Sequence, residues 1–303
     1  MDSCDKRVNI LISTYNGEKY IVQQLESIRT QTYSNIKIYI RDDGSVDNTI
    51  NVIKNYISLK NISNIVLIKG HNVGFGRSFM RLLKQAEDGD YWAFCDQDDV
   101  WEEKRVEKAV EWFNNNLRGI PQIYCDDYIE VDENLNKIEG HKLVRKNYNF
   151  IRSITDVAHM GFVETINSTM RDYMLMTNMK KINSHDHLAE MIGMEFGEIF
   201  ESSNGTTLHR RLSGSVSSLG MSARIKWLLK AFKGENEITP QAREFYYTFG
   251  SKMNQKNKTV LKWFVNDRYC FKNSIKKACY LHRWRPMMSS EIICRGLMLM
   301  GKI

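Results

Sequence analysis

Tyr91-Trp92-Ala93-Phe94-Cys95-Asp96-Gln97-Asp98-Asp99-Val100-Trp101 is the stretch on which the reading of this chain turns. An uninterrupted apolar run of strand length breaks into three acids within four residues, which is what a buried central strand looks like when it delivers side chains to an edge. Working outward from it, Val8 to Ser13, Ile36 to Ile40, Ile65 to Ile68 and Ile123 to Tyr128 read as further strands. Helical patterns at Glu18 to Arg29, Asp47 to Leu59, Gly76 to Glu87 and Glu102 to Asn115 alternate with them. In the last, Val106, Ala109, Val110 and Phe113 fall at i, i+3, i+4 and i+7, one face of a helix. Strand and helix in alternation predict an α/β fold with a mostly parallel central sheet flanked by helices.

Ligands of such sheets bind beyond the carboxyl ends of the strands. The first strand ends in Ser13-Thr14-Tyr15-Asn16-Gly17, the second in Arg41-Asp42-Asp43-Gly44-Ser45 and the fourth in Asp96-Gln97-Asp98-Asp99, so two acidic clusters are expected on one edge. Neither G-x-G-x-x-G after the first strand nor G-x-x-x-x-G-K-[ST] anywhere is present, which removes the usual backbone cradles for phosphates. Carboxylates with a divalent ion offer another way to hold a diphosphate, because Mg²⁺ and Mn²⁺ prefer hard oxygen ligands. Each cluster also has a purely structural reading. D-x-D-D can cap the helix near Glu102, and Asp-Asp-Gly-Ser is turn chemistry with Asp47 as an N-cap.

The charge is uneven. From Met221 onward 17 Lys and Arg face 5 Asp and Glu, a net of +12, so residues 1–220 carry −5 of the total of +7. The expected division is a catalytic domain at 1–220 and a basic helical region at 221–303, joined through the Ser/Gly-rich stretch 213–220. Six cysteines without C-x-x-C spacing indicate neither a zinc site nor a disulfide framework. The polar N-terminus has no apolar core of a signal peptide, and no run reaches the ~20 apolar residues of a spanning helix. A cytoplasmic location is expected.

Taken in order, Ser13-Thr14-Tyr15-Asn16-Gly17, Asp42-Asp43-Gly44-Ser45 with Asp47 and Thr49, Asn72-Val73-Gly74-Phe75 and Asp96-Gln97-Asp98-Asp99-Val100-Trp101 resemble family 2 glycosyltransferases, and within them the bacterial rhamnosyltransferase-like branch. The resemblance runs from about Val8 to Ser218. It implies a GT-A fold and an inverting transfer from a nucleoside diphosphate sugar, with dTDP-rhamnose the expected donor. It further implies that Thr14, Tyr15, Asn16, Asp42, Asp43 and Asn72 hold the donor, that Asp96 serves ribose and diphosphate, and that Asp96, Asp98 and Asp99 hold Mg²⁺ or Mn²⁺. An inverting transfer needs a base for the acceptor hydroxyl. Ser184-His185-Asp186-His187-Leu188 sits where the family carries it, which makes Asp186 the candidate. His187 replaces the usual aromatic. Leu208-His209-Arg210-Arg211-Leu212 resembles the family's Y-R-x-H, with Arg210 as a phosphate partner and Leu212 where a histidine would stand.

In the basic region, Ile225, Leu228, Leu229 and Phe232 share one face of a helix from Arg224 to Lys233, with Lys226, Lys230 and Lys233 on the other. Lys272, Lys276, Lys277, Arg283, Arg285 and Arg295 continue the theme among apolar residues. Each such helix can equally pack its apolar stripe on the catalytic body as part of an ordinary helical subdomain. The excess charge suits a peripheral segment on an anionic membrane, and the resemblance implies the inner face of a bacterial cell membrane, where a glycan or lipid-linked acceptor would be met. No nucleic-acid reading module is present, and none is expected to bind. A protein of the same fold that binds nucleotide sugar or lipid without catalysis is the alternative that Leu212 and His187 keep open.

Overall fold

The computed structural model describes residues 6–139, 148–212, 229–233, 236–266 and 268–303. A single eight-stranded sheet runs β3-β2-β1-β4-β7-β6-β8-β5. Its strands are β1 (Val8–Thr14), β2 (Ile36–Asp42), β3 (Ile65–Lys69), β4 (Tyr91–Asp96), β5 (Val100–Trp101), β6 (Gln122–Val131), β7 (Glu164–Asn167) and β8 (Glu198–Arg210). The first four pair in parallel, and β7 then enters antiparallel between β4 and β6. β6 and β8 run parallel, while the two-residue β5 closes the far edge antiparallel to β8. The five expected strands are therefore present, and the sheet gains three that short length or mixed composition hid.

The helices are α1 (Ile21–Arg29), α2 (Thr49–Leu59), α3 (Phe75–Gln85), α4 (Arg105–Asn116), the short α5 (Phe150–Ser153), α6 (Ser168–Leu175), α7 (His185–Phe196), α8 (Ile238–Phe249), α9 (Gln255–Leu261), α10 (Phe271–Ala278) and α11 (Met288–Leu299). Strand β1 shows how the layers are divided. Val8, Ile10 and Ile12 enter a core with Ile21, Leu25 and Ile28 of α1, Ile53 of α2 and Val106, Val110 and Phe113 of α4. Leu11 points the other way, into a core with Phe79 and Leu83 of α3, Met170 and Met174 of α6 and Leu188 and Ile192 of α7. The two-residue period of a strand and the 3.6-residue period of the helices meet on both faces. Helix α1 begins three residues later than expected, because Asn16 is left-handed (φ 50°) and the Gly17 carbonyl first closes a turn on the Tyr20 and Ile21 amides.

The basic region does not stand apart from this core. Phe245 and Phe249 of α8, Leu261 of α9, Trp284 between α10 and α11, and Leu297 of α11 belong to the same cluster as Leu11 and Leu188. Trp284 donates its indole N–H to the Lys277 carbonyl at 2.9 Å and accepts from Thr155 at 2.8 Å, tying α10 to the segment after α5. Burying each such aromatic contributes about 1.5–3 kcal/mol. Of the basic residues singled out above, Lys277 is buried against the Ile303 carbonyl, Arg285 pairs with Asp156 at 2.8 Å and Arg295 with Glu291 at 2.6 Å. Lys272, Lys276 and Arg283 remain at the surface beside exposed Phe271, Ile275, Leu281 and Met287. The expected linker and the first half of the Arg224 to Lys233 helix, residues 224–228, lie outside the described residues; of the second half, Leu229 and Phe232 are exposed. No helix among the described residues is long and apolar enough to cross a membrane.

Candidate active site

Strand register builds the site. Thr14 lies beside Asp42 across the β1–β2 pair, and Ser13 lies beside Asp96 across β1–β4, so the two acidic clusters end on one edge within two strand spacings, roughly 10 Å. The Asp42 turn is self-contained. Asp42 is buried, and its Oδ1 accepts the amides of Gly44 (3.2 Å) and Ser45 (3.0 Å) while Oδ2 accepts the hydroxyls of Ser45 (2.5 Å) and Thr14 (3.2 Å). Asp43 is equally committed. It pairs with the buried Arg41 guanidinium and accepts the amides of Val73 (3.0 Å) and Gly74 (2.9 Å). Arg41 in turn holds Ser78 Oγ and the His71 carbonyl, each at 2.9 Å, which fixes the Asn72 loop against the second strand. Gly44 sits at φ +85°, and its Cα is close enough to the Asn72 amide that a Cβ would stand at 3.0 Å.

What this leaves at the surface is Tyr15 and Asn72, both exposed, on loops whose backbones are pinned. Gln97 clamps Tyr15, accepting its amide at 2.9 Å and donating to its carbonyl at 3.1 Å, and Asn16 exchanges bonds with Ser45 and Val46, each at 2.9 Å. The expected donor-holding residues are thus gathered, with Asp42 and Asp43 organising the turn from inside and Tyr15, Asn16 and Asn72 presenting its outer face.

The second cluster divides by burial. Asp96 and Asp98 are partly exposed, whereas Asp99 is sealed. Asp99 Oδ1 accepts His209 Nδ1–H at 2.9 Å and the Arg210 amide at 3.4 Å. Of the three expected metal ligands, Asp96 and Asp98 reach the surface, while Asp99 is sealed, with Oδ1 bonded to β8 and Oδ2 buried without a hydrogen-bond partner among the described residues. His209 escaped notice in the sequence. It alternates inward on β8, is stacked on Phe162 (4.2 Å, 5°), and although burial pulls its pKa down, the Asp99 bond and charge raise it overall. Arg210 also departs from expectation. Its three nitrogens engage the carbonyls of Asp98 (2.7 Å) and Glu133 (3.3 Å) and the Gln23 side chain, and its plane lies over Tyr20. It clamps the acidic turn from behind and is not a free phosphate partner.

Electrostatics brings the third station in. Burial first, then the charges of Asp99 and Asp98, hold the Asp96 carboxyl well above the usual carboxylate range, with a further contribution from Asp186. Asp98 is pushed up to about 6 by burial and by Asp99. Asp186 opens α7 and is fixed by the Ser184 hydroxyl, the His187 amide (2.8 Å) and the Gly161 amide (3.4 Å). Its histidine neighbours turn away from it. His185 lies among Phe75, Phe79 and Phe94, where burial lowers its pKa to about 4, and His187 bonds the Ser153 carbonyl. His187 is a buried packing residue.

Among the described residues no three His, Cys, Asp or Glu side chains form a ready-made ion cage. The donor set at Asp96 and Asp98 nonetheless fits a hard divalent ion. Two carboxylates one residue apart, both disposed by burial first and by the Asp99 charge second to resist ionisation, suit a cation, and Mg²⁺ is commonly held by one or two carboxylates with substrate phosphates and water completing its shell.

Residues 9–177 match the family model described as Glycosyl transferase family 2, more than half of the chain. The chain is a family 2 glycosyltransferase. A relative, the dTDP-rhamnosyl transferase RfbG of Shigella flexneri, is 40% identical over 109 residues, covering 34% of this chain and 38% of that protein. The chain likewise spans only 38% and 35% of the lengths of uncharacterized glycosyltransferases of Nostoc sp. and Haemophilus influenzae, to which it is 32% identical over the matched parts. Among solved structures, S. aureus TarS 1-349 in complex with UDP matches at a TM-score of 0.59 with 16% identity, over 91% of this chain and 75% of that one. A mannosyltransferase from Pyrobaculum calidifontis in complex with GDP-Man and Mn2+ matches at 0.52 and 16% identity, over 85% and 68%. Those likenesses establish the fold, which is GT-A, as the sequence motifs imply.

Proposed function

We propose that this glycosyltransferase is an inverting enzyme that moves a sugar, with dTDP-rhamnose the favoured donor, onto a surface polysaccharide or lipid-linked oligosaccharide. The observation that carries the reading is the approach of Asp186, at the start of α7, to the Asp96-Gln97-Asp98-Asp99 turn at the end of β4, near enough that its charge raises the Asp96 pKa. Tyr15, Asn16 and Asn72 meet the nucleoside, with Thr14, Asp42 and Asp43 shaping that surface. Asp96 and Asp98 hold Mg²⁺ or Mn²⁺, which when bound neutralises charge developing on the diphosphate. Asp186, partly exposed and held at a helix start by three donors, takes the acceptor proton. RfbG supports rhamnose, and the partial coverage of that match keeps the sugar open to test.

The exposed Phe271, Lys272, Ile275, Lys276 and Arg283 favour a peripheral place on an anionic membrane, since each cation near such a surface contributes about 1 kcal/mol. The deciding experiment is a panel of nucleotide sugars with Mn²⁺ or Mg²⁺, read by nucleoside diphosphate release. One donor released by the wild type and by neither Asp98→Ala nor Asp186→Asn supports the assignment. Full turnover by either variant overturns the role given to that residue, and donor binding without release by the wild type favours a non-catalytic protein.

A further inference from the structure

We propose that Glu190 and His159 are positioning residues for Asp186, bracing the acceptor side of the site. Both side chains are fully buried, and neither takes part in the chemistry described above. Glu190 lies one helical turn beyond Asp186 on α7, so the two carboxylates share a face. Both grip the same short segment. Glu190 Oε2 accepts the amides of Ala158 (2.8 Å) and His159 (2.9 Å) and the His159 ring at Nδ1 (2.8 Å), while Asp186 Oδ2 accepts the Gly161 amide at 3.4 Å. The other ring nitrogen of His159 faces Glu201 Oε1 on β8 at 2.9 Å. With a carboxylate oxygen on each ring nitrogen, both are placed as donors, and the ring bridges α7 to the sheet.

The segment is tight. A Cβ on Gly161 would stand 2.4 Å from His185 Nε2 and 3.3 Å from Asp186 Cβ. One residue further, Phe162 stacks on His209, the partner of Asp99, and its carbonyl accepts Arg105 at 2.9 Å. Residues 158–162 therefore run between the Asp186 station and the Asp99 turn. Any shift at Glu190 or His159 moves the first turn of α7 relative to the donor carboxylates. A displacement of about 1 Å at a reacting group can cost on the order of 100-fold in rate.

This inference rests on Asp186 being the base, and the test separates the two. Wild type, Asp186→Asn, Glu190→Gln, His159→Gln and the double variants with Asp186→Asn are assayed with dTDP-rhamnose, UDP-glucose, UDP-GlcNAc and GDP-mannose for release and transfer. The expected result is a fall in kcat of about 10- to 100-fold for Glu190→Gln and His159→Gln with donor KM within about twofold of wild type. No further fall is expected when either is added to Asp186→Asn. Loss of donor affinity in step with kcat, or a further fall in the double variants, would show a general structural role and overturn the proposal. Wild-type kcat in both single variants while Asp186→Asn is inactive overturns it alone. An active Asp186→Asn, or a wild type that turns over none of the four donors, overturns the assignment of the base and this inference with it.

Discussion

Asp98→Asn should make the metal-free protein more stable while abolishing transfer. The Asp98 carboxyl rises from an ordinary 3.8 to about 6 because burial and the neighbouring Asp99 charge disfavour its ionised form. Since the folded value lies above the unfolded one, the folded state binds the extra proton, and stability falls as pH rises from about 4 to above 6. A rise from 3.8 to about 6 corresponds to about 3 kcal/mol at pH 7.5, treated as an upper figure. For 303 residues an unfolding entropy of about 2.1 cal/mol/K per residue converts this to roughly 5 °C in Tm. Differential scanning fluorimetry without divalent ions, at pH 4.5 and pH 7.5, reads it directly. The variant should melt about 5 °C above wild type at the higher pH and close to wild type at the lower one. Mn²⁺ with a nucleoside diphosphate should then raise the wild-type Tm and leave the variant unmoved. An equal difference at both pH values would mean that packing at the turn, not ionisation, sets it, and the electrostatic reasoning would fail.

Gly161→Ala should lower transfer at least about 10-fold with donor affinity retained, because its Cβ would strike His185 beside Asp186; calorimetric titration with donor alongside kinetics checks both halves. Asp43→Asn removes the charge that the buried Arg41 faces and should cost about 3–5 kcal/mol in urea unfolding, far more than an exposed ion pair. His209 has a pKa raised above its ordinary 6.5 by Asp99, so its contribution to stability is full below pH 6.5 and is lost as pH rises through the raised value. His209→Gln should remove that slope from the unfolding free energy measured between pH 6 and 8. Lys272→Glu with Lys276→Glu should abolish co-sedimentation with vesicles containing phosphatidylserine and leave donor turnover intact; unchanged sedimentation would remove the membrane from the reading.

The sheet's first half was legible because β1, β2, β3 and β4 are buried apolar runs whose boundaries coincide with turn residues. β7 was not. Its four residues, Glu164-Thr165-Ile166-Asn167, carry one aliphatic side chain and become a strand only by filling the gap between β4 and β6, a long-range pairing that no local period encodes. The same limit applies to polar residues. Asp42 and Asp43 look equivalent in sequence, yet one satisfies its own turn and the other balances Arg41 across the neighbouring loop.

β8 explains why the downstream motif misled. Arg210 was expected to reach a phosphate because it matches a family position, and strand alternation sends it instead beneath the acidic turn, onto the Asp98 carbonyl. Its neighbour His209 points to the opposite face and reaches Asp99. Both residues therefore act on the Asp96-Gln97-Asp98-Asp99 turn from behind, one through a carbonyl and one through a carboxylate. That support bears on the ionisation. A turn clamped at Asp98 and Asp99 keeps both Asp96 and Asp98 in a buried setting beside the Asp99 charge, and burial first, then that charge, makes them resist ionisation. The positive charge already at the turn, His209 toward both carboxylates and Arg210 toward Asp98, pulls their pKa values down only in part, and under the proposed function a divalent cation would offset the rest.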